Sequence, residues 1–246
     1  MGARQVLSAG LAGDTIQEPL TRRRKVERDL FTDPMPERIE PCLALLTGTI
    51  PNGADWSYEV KWDGYRLAIY VLDRHVRIVT RGGHDWTSRF LTLAHDVLEL
   101  GVDSAILDGE AVVLDERDAA DFVALQKALG GKGGKRFATE GILYAFDLLY
   151  VNGRDLRALG CEERGGILED FFGIIPHSSI RMSEDINASG PAFLKLGCDK
   201  GLEGIIAKRR SAPYRSSRGG ETLKVKCVQS ERFVSALLDH RDGPRR

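Results

Sequence analysis

Cysteine is scarce in this 246-residue chain: Cys42, Cys161, Cys198 and Cys227 stand 119, 37 and 29 positions apart. No CxxC pair occurs and no His is spaced as a zinc partner, so neither a disulfide framework nor a structural zinc site is expected. Long apolar runs are missing too. None approaches the roughly 20 residues that span a bilayer, and the first 14 positions hold no apolar stretch of signal-peptide length. Membrane and secreted readings therefore fall away. Net charge is nearly absent, with 35 Lys+Arg against 36 Asp+Glu. What is present is 42% hydrophobic and 29% charged residues, the composition of a folded, cytosolic-type soluble protein and not of a disordered tail.

The near-neutral total hides a local excess. Positions 200 to 232 carry nine basic residues and three acidic ones, a balance of +6 that suits a phosphate-facing surface or a solvated face. A second basic run, Arg22-Arg23-Arg24-Lys25, lies in an N-terminal stretch without sustained periodicity that reads as an arm or linker, ending at Asp33-Pro34. From Trp56 onward strand patterns dominate: Tyr58 to Lys61, Arg66 to Leu72 and His75 to Thr80, with Asp73-Arg74 at a hairpin, then Ala105 to Leu114 and Gly141 to Tyr150. Helical spacing recurs from a Ser88 cap through Phe90 to Leu98, at Ala119 to Leu129, at Cys161 to Phe172 and at Ser189 to Lys200. Gly165-Gly166 should weaken the third of these. Strands follow at Gly204 to Lys208 and Thr222 to Val228. The Gly130 to Lys135 run lacks the GxxxxGK[ST] order of a phosphate loop and reads as a mobile loop. Strands mixed with isolated helices predict an α+β domain.

The chemistry concentrates in Glu59-Val60-Lys61-Trp62-Asp63-Gly64-Tyr65-Arg66. A lysine at a strand end is followed by an acid, a glycine that lets the backbone turn tightly, and an arginine on the next strand. A bland reading is a strand lysine paired with Asp63. The sharper one is a nucleophile: an ordinary lysine is almost wholly protonated at neutral pH, so attack on phosphorus needs an environment that releases the free amine, which lysine allows and arginine does not.

K-x-D-G-x-R resembles the nucleophile motif of the covalent nucleotidyltransferases, the superfamily of ATP-dependent DNA ligases, RNA ligases and mRNA-capping enzymes. Further stretches follow in that superfamily's order. Thr80-Arg81-Gly82-Gly83-His84-Asp85 resembles the second ligase motif and Leu107-Asp108-Gly109-Glu110 the third. Tyr144-Ala145-Phe146-Asp147 is similar to the strand whose aromatic ring stacks on the purine, although Phe146 alone would more often be core. Glu203-Gly204-Ile205-Ile206-Ala207-Lys208 resembles the fourth motif and Leu223-Lys224-Val225-Lys226-Cys227 the fifth, where a period of two puts both lysines on one strand face. The wording is most similar to bacterial end-joining ligases of the ligase D type. The match runs over residues 35 to 232. Thr222 stands where that family commonly has Trp, and Leu91 where it often has Pro.

The resemblance implies an α+β nucleotidyltransferase (DNA ligase adenylation) domain of packed antiparallel sheets with flanking helices. It implies that Lys61, Lys224 and Lys226 are catalytic, that Glu59, Arg66, Arg81, Glu110 and Phe146 bind the nucleotide, and that Glu203 with Glu110 holds a divalent metal. ATP and Mg or Mn would be the cofactors, and nicked or broken double-stranded DNA the partner, with an end-binding protein or a separate OB-containing protein as possible further partners and no membrane. The expected layout is a basic arm or linker over 1–34, an adenylation domain over 35–228 and the truncated start of an OB-like region over 229–246, with the OB domain itself missing. An RNA ligase, a capping-type enzyme and an inactive DNA-end-binding relic are the alternatives.

Overall fold

The computed structural model describes residues 32–227 except 132, 133, 135, 173–178 and 187. The basic run at Arg22 to Lys25, the proposed OB-like start and half of the Gly-Lys loop lie outside these residues. The strands are β1 (Leu45–Leu46), β2 (Trp56–Val60), β3 (Tyr65–Leu72), β4 (His75–Thr80), β5 (Ser104–Val112), β6 (Ile142–Val151), β7 (Arg154–Asp155), β8 (Ile180–Met182), β9 (Gly204–Arg209) and β10 (Thr222–Lys226). The α-helices are α1 (Leu91–Asp96), α2 (Phe122–Ala128), α3 (Cys161–Phe172) and α4 (Gly190–Asp199). None is long and apolar enough to cross a membrane.

The strands form two sheets. One runs β1-β10-β9-β2, and the other runs β4-β3-β5-β6-β7 with β8 beside β6. The central pairings are antiparallel, as expected; two short pairings, β1 with β10 and β6 with β8, are parallel. Alternation along β3 explains the larger sheet. Leu67, Ile69 and Val71 point into the main core with Ile78, Phe90, Leu93 and Leu107, while Tyr70 points to the opposite face with Ile39, Val79, Ile106 and Leu149. The smaller sheet packs Tyr58, Ile205, Ala207 and Val225 against Phe193 of α4. The β3–β4 hairpin turns at Asp73 and Arg74, both at positive φ, the conformation a tight two-residue hairpin demands.

Three local readings are corrected. Ser88 is not a helix cap: it sits inside a 3-10 turn (Thr87–Arg89), and Phe90, with no capping side chain, precedes α1. α2 begins at Phe122, not near Ala119, because the Asp121 carboxylate accepts from the Ala124 amide at 2.9 Å and sets the first turn. Cys198 and Cys227 form a disulfide. Antiparallel β9 and β10 pair Gly204 with Lys226, so the residue after Lys226 returns beside the end of α4; spacing along the chain carries no trace of that. α3 and α4 fall where helical spacing placed them, the latter capped by Ser189.

Candidate active site

β2 ends at Val60, and the chain crosses from the smaller sheet to the larger within residues 61–64 before β3 begins. The crossing is tight. A Cβ on Gly64 would lie 2.1 Å from the Ala111 carbonyl oxygen, so only glycine passes this point without moving β5. Lys61 stays registered to the smaller sheet through its amide, which donates to the Gly204 carbonyl at 3.0 Å.

Beside the crossing opens a cleft of about 540 Å³ walled by both sheets. Among the expected residues it gathers Glu59, Lys61, Arg66, Arg81, Glu110, Phe146 and Lys224. Glu203 and Lys226 line a neighbouring opening on the other side of Lys61, together with Asp63. Lys61 joins the two: its ammonium pairs with one Glu203 oxygen, while Lys226 Nζ holds the other at 2.9 Å. Burial works against charge on Glu203, but hydrogen bonds from both lysines hold its carboxyl below the ordinary value. Lys224, one β10 step away, is pushed below its ordinary value by burial and by the charges of Lys61 and Lys226.

The cleft walls are fixed by buried ion pairs. Arg66 forks onto Asp108, Nε to Oδ1 at 2.9 Å and Nη2 to Oδ2 at 2.6 Å, and its guanidinium stands 5.1 Å from the Phe146 ring centroid. The Tyr214 hydroxyl donates to Asp108 at 2.8 Å and accepts from the Cys42 amide at 2.9 Å. Lys208, only 8% exposed, meets Glu59 at 2.5 Å, donates to the Phe146 carbonyl at 2.9 Å and lies 4.9 Å from the Phe146 ring. Burial opposes its charge, but the Glu59 carboxylate outweighs that and raises the ammonium above its ordinary value. Phe146 is thus a half-buried wall of the cleft under two cations and not a core residue.

Burial pushes the Glu110 carboxyl up to about 7 against the pull of Arg66 and Lys61. Asp63 is raised as well, by burial and by Glu203. Three carboxyl groups, Glu203, Asp63 and Glu110, thus act on one lysine, with burial disfavouring the charged form of the last two. That donor set suits a hard divalent cation, and among the described residues no three Asp, Glu, His or Cys side chains form a ready-made cage. The fit is to an ion held by one or two carboxylates plus phosphate oxygens, the manner in which Mg²⁺ is ordinarily bound.

Sequence reading passed over Asp108, Lys208 and Tyr214. Asp108 and Lys208 lie inside motif stretches where attention fell on the glutamates. A signal for Lys208 exists only in the register: Ser57 pairs with Lys208 and Glu59 with Ile206, which makes Glu59 and Lys208 diagonal neighbours on one face. Tyr214 sits in the β9–β10 connection, and nothing local announces its reach to β5.

Residues 41–226 match the family described as ATP dependent DNA ligase domain. Over 215 residues the chain is 43% identical to the multifunctional non-homologous end joining protein LigD of Pseudomonas aeruginosa, covering 87% of this chain and 25% of that protein. Two solved structures share the fold. A mycobacterial DNA ligase D complexed with ATP and MES aligns with TM-score 0.63 and 31% identity over 75% of this chain and 60% of its own. The ligase domain of Mycobacterium tuberculosis LigD aligns with TM-score 0.64 and 30% identity over 76% of this chain and 59% of its own. The chain spans about a quarter of the length of the Pseudomonas relative it matches. With the family profile covering most of the chain and the fold shared with these ligase domains, the chain belongs to the ATP-dependent DNA ligase domain family.

Proposed function

We propose that residues 35–228 form the adenylation domain of a DNA ligase, which takes AMP from ATP onto Lys61 and passes it to the 5′-phosphate of nicked or broken double-stranded DNA. The observation that carries this reading is the position of Lys61, at the junction of a nucleotide-sized cleft with the Glu203 and Lys226 pair. The purine would lie on Phe146, near the Glu59 and Lys208 pair, with the ribose toward Glu110 and Arg66. The α-phosphate then points to Lys61, with Arg81 and Lys224 at the phosphate end.

The Lys61 amine, freed of its proton, attacks the α-phosphorus. The N–P bond forms as the bond from that phosphorus to the bridging oxygen breaks, and pyrophosphate leaves with the electron pair. The product is a Lys61 phosphoramidate of AMP. Negative charge builds on the equatorial phosphate oxygens, where the Lys224 and Lys226 ammonium groups stabilise it. Glu203 and Glu110 would hold the divalent ion, which when bound supplies further neutralisation of phosphate charge. AMP then moves to the DNA 5′-phosphate, and a 3′-hydroxyl displaces it to seal the strand.

DNA is supported by the family and by the cleft rim, where Arg209, Arg215, Arg218 and Lys224 stand together. The flanking 1–34 arm and the 229–246 stretch are proposed as a basic linker and the start of an OB-like region. An end-binding protein is proposed as a further partner on DNA. Incubating the full chain with α-labelled ATP or GTP in Mg²⁺ or Mn²⁺ tests the reading. Label retained on the protein from ATP alone is expected. Retention from GTP points to a capping-type enzyme, and retention from neither overturns the proposal.

A further inference from the structure

Lys61 is the last residue on the smaller sheet's side of the crossing, and its own backbone bond reaches only that sheet. The side chain of the next residue reaches the other sheet. The Trp62 indole lies flat on the Tyr144 ring of β6, with centroids 3.7 Å apart and planes 9° from parallel. Its Nε1 donates to Ser183 Oγ at 3.0 Å, and the Ser183 amide is itself bonded to the Ala145 carbonyl of β6 at 2.7 Å. The crossing is therefore held at three places: by Lys61 to Gly204, by Trp62 to β6, and by Gly64 against Ala111.

We infer that Trp62 is a positioning residue, stapled to Tyr144 and Ser183 so that its neighbour Lys61 faces the α-phosphate in line. The inference rests on Lys61 being the nucleophile. A lysine side chain has four rotatable bonds. Without the staple, the backbone at residue 62 could rock about the Lys61 amide bond to Gly204 and swing the lysine relative to a nucleotide whose base and ribose rest on Phe146, Glu110 and Arg66 of the larger sheet. A displacement of about 1 Å at a reacting atom costs on the order of 100-fold in rate. Trp62 also borders the cleft beside Lys61, but both anchors of its ring, Tyr144 and Ser183, lie away from that cleft, beside Ile180, Met182 and Ile186. A purely structural staple would lower stability and leave the bound-state rate alone. A positioning staple lowers the rate at saturating ATP and leaves ATP affinity alone.

The test is single-turnover adduct formation over a range of ATP concentrations, with the full chain as wild type, Lys61→Ala, Trp62→Ala, Trp62→Phe and Tyr144→Ala. Trp62→Ala and Tyr144→Ala should lower the limiting rate by about 10- to 100-fold while half-saturating ATP moves by less than about threefold. Trp62→Phe keeps a ring on Tyr144 and should recover to within about fivefold of wild type. Tyr144→Ala leaves residues 61–64 unaltered and decides the matter if Trp62→Ala does not fold. A wild-type limiting rate in folded Tyr144→Ala overturns the inference, as does a loss confined to ATP affinity. Adduct formation by Lys61→Ala overturns instead the reading on which it rests.

Discussion

Phe146 shows how a single side chain changes meaning with its surroundings. On a strand of alternating apolar residues it reads as core, yet its ring lies under Arg66 and Lys208 at the cleft wall. On the proposed reading this ring is the platform for the purine of ATP. Phe146→Ala should weaken ATP binding by about 1 to 3 kcal/mol, and Phe146→Tyr should retain most of the affinity. Calorimetric titration with ATP checks this; unchanged affinity, or unfolding of the Ala variant, would place Phe146 in the core after all. Glu110 carries a pH dependence. Its folded carboxyl titrates near 7, against an ordinary value of 4.5, because burial disfavours the charged form. Between those values the folded chain keeps a proton that the unfolded chain has released, so this group's contribution to stability falls as pH rises from about 4.5 to about 7 and is flat above. Glu110→Gln removes that slope. In metal-free buffer the variant should gain about 1 to 3 kcal/mol over the parent on going from pH 5 to pH 8, measured by urea unfolding. A difference between variant and parent that does not change with pH would show that Glu110 is not buried as an acid.

At the scale of elements, period-two alternation made β2 through β6, β9 and β10 legible, since each buries one or both faces and so carries a regular apolar pattern. α3 was readable for the same reason at helical spacing, with Gly165 and Gly166 tolerated because each lies on open space. α1 was legible in its apolar spacing but not in its start, because a separate 3-10 turn, Thr87–Arg89, precedes it and its capping position is the buried Phe90, which local propensity cannot foresee. The Cys198–Cys227 bond was also illegible, for it depends on a β9–β10 register that brings together residues 29 apart. That bond closes a loop from the end of α4 to the end of β10, and a cross-link of this length is worth about 3 to 4 kcal/mol by the loop-entropy account. Reduction, or Cys198→Ser, should lower unfolding stability by that order. Equal urea midpoints with and without dithiol reductant would mean that the bond does not form in solution.

On the scale of the whole molecule, two sheets meet along a cleft, and the charge that sequence reading found concentrated after residue 200 turns out to be divided. Lys208 is buried in an ion pair, Arg210 pairs with Glu162 and Arg215 with Glu221, while Lys224 and Lys226 stand on one face of β10 beside Lys61. Ordered motifs therefore revealed which strands build the site. The cross-sheet contacts, Tyr214 to Asp108, Lys208 to the Phe146 carbonyl and Trp62 to Tyr144, emerged only with the fold. On the proposed reading, these contacts hold the Lys61 amine opposite a nucleotide. The most direct test is to incubate the full chain with ATP and divalent metal, digest it under mildly alkaline conditions that preserve a phosphoramidate, and locate the AMP by peptide mass spectrometry. AMP on the peptide containing Lys61, lost on acid treatment and absent from Lys61→Ala, is the predicted result; AMP on another residue, or undiminished in that variant, would contradict the account.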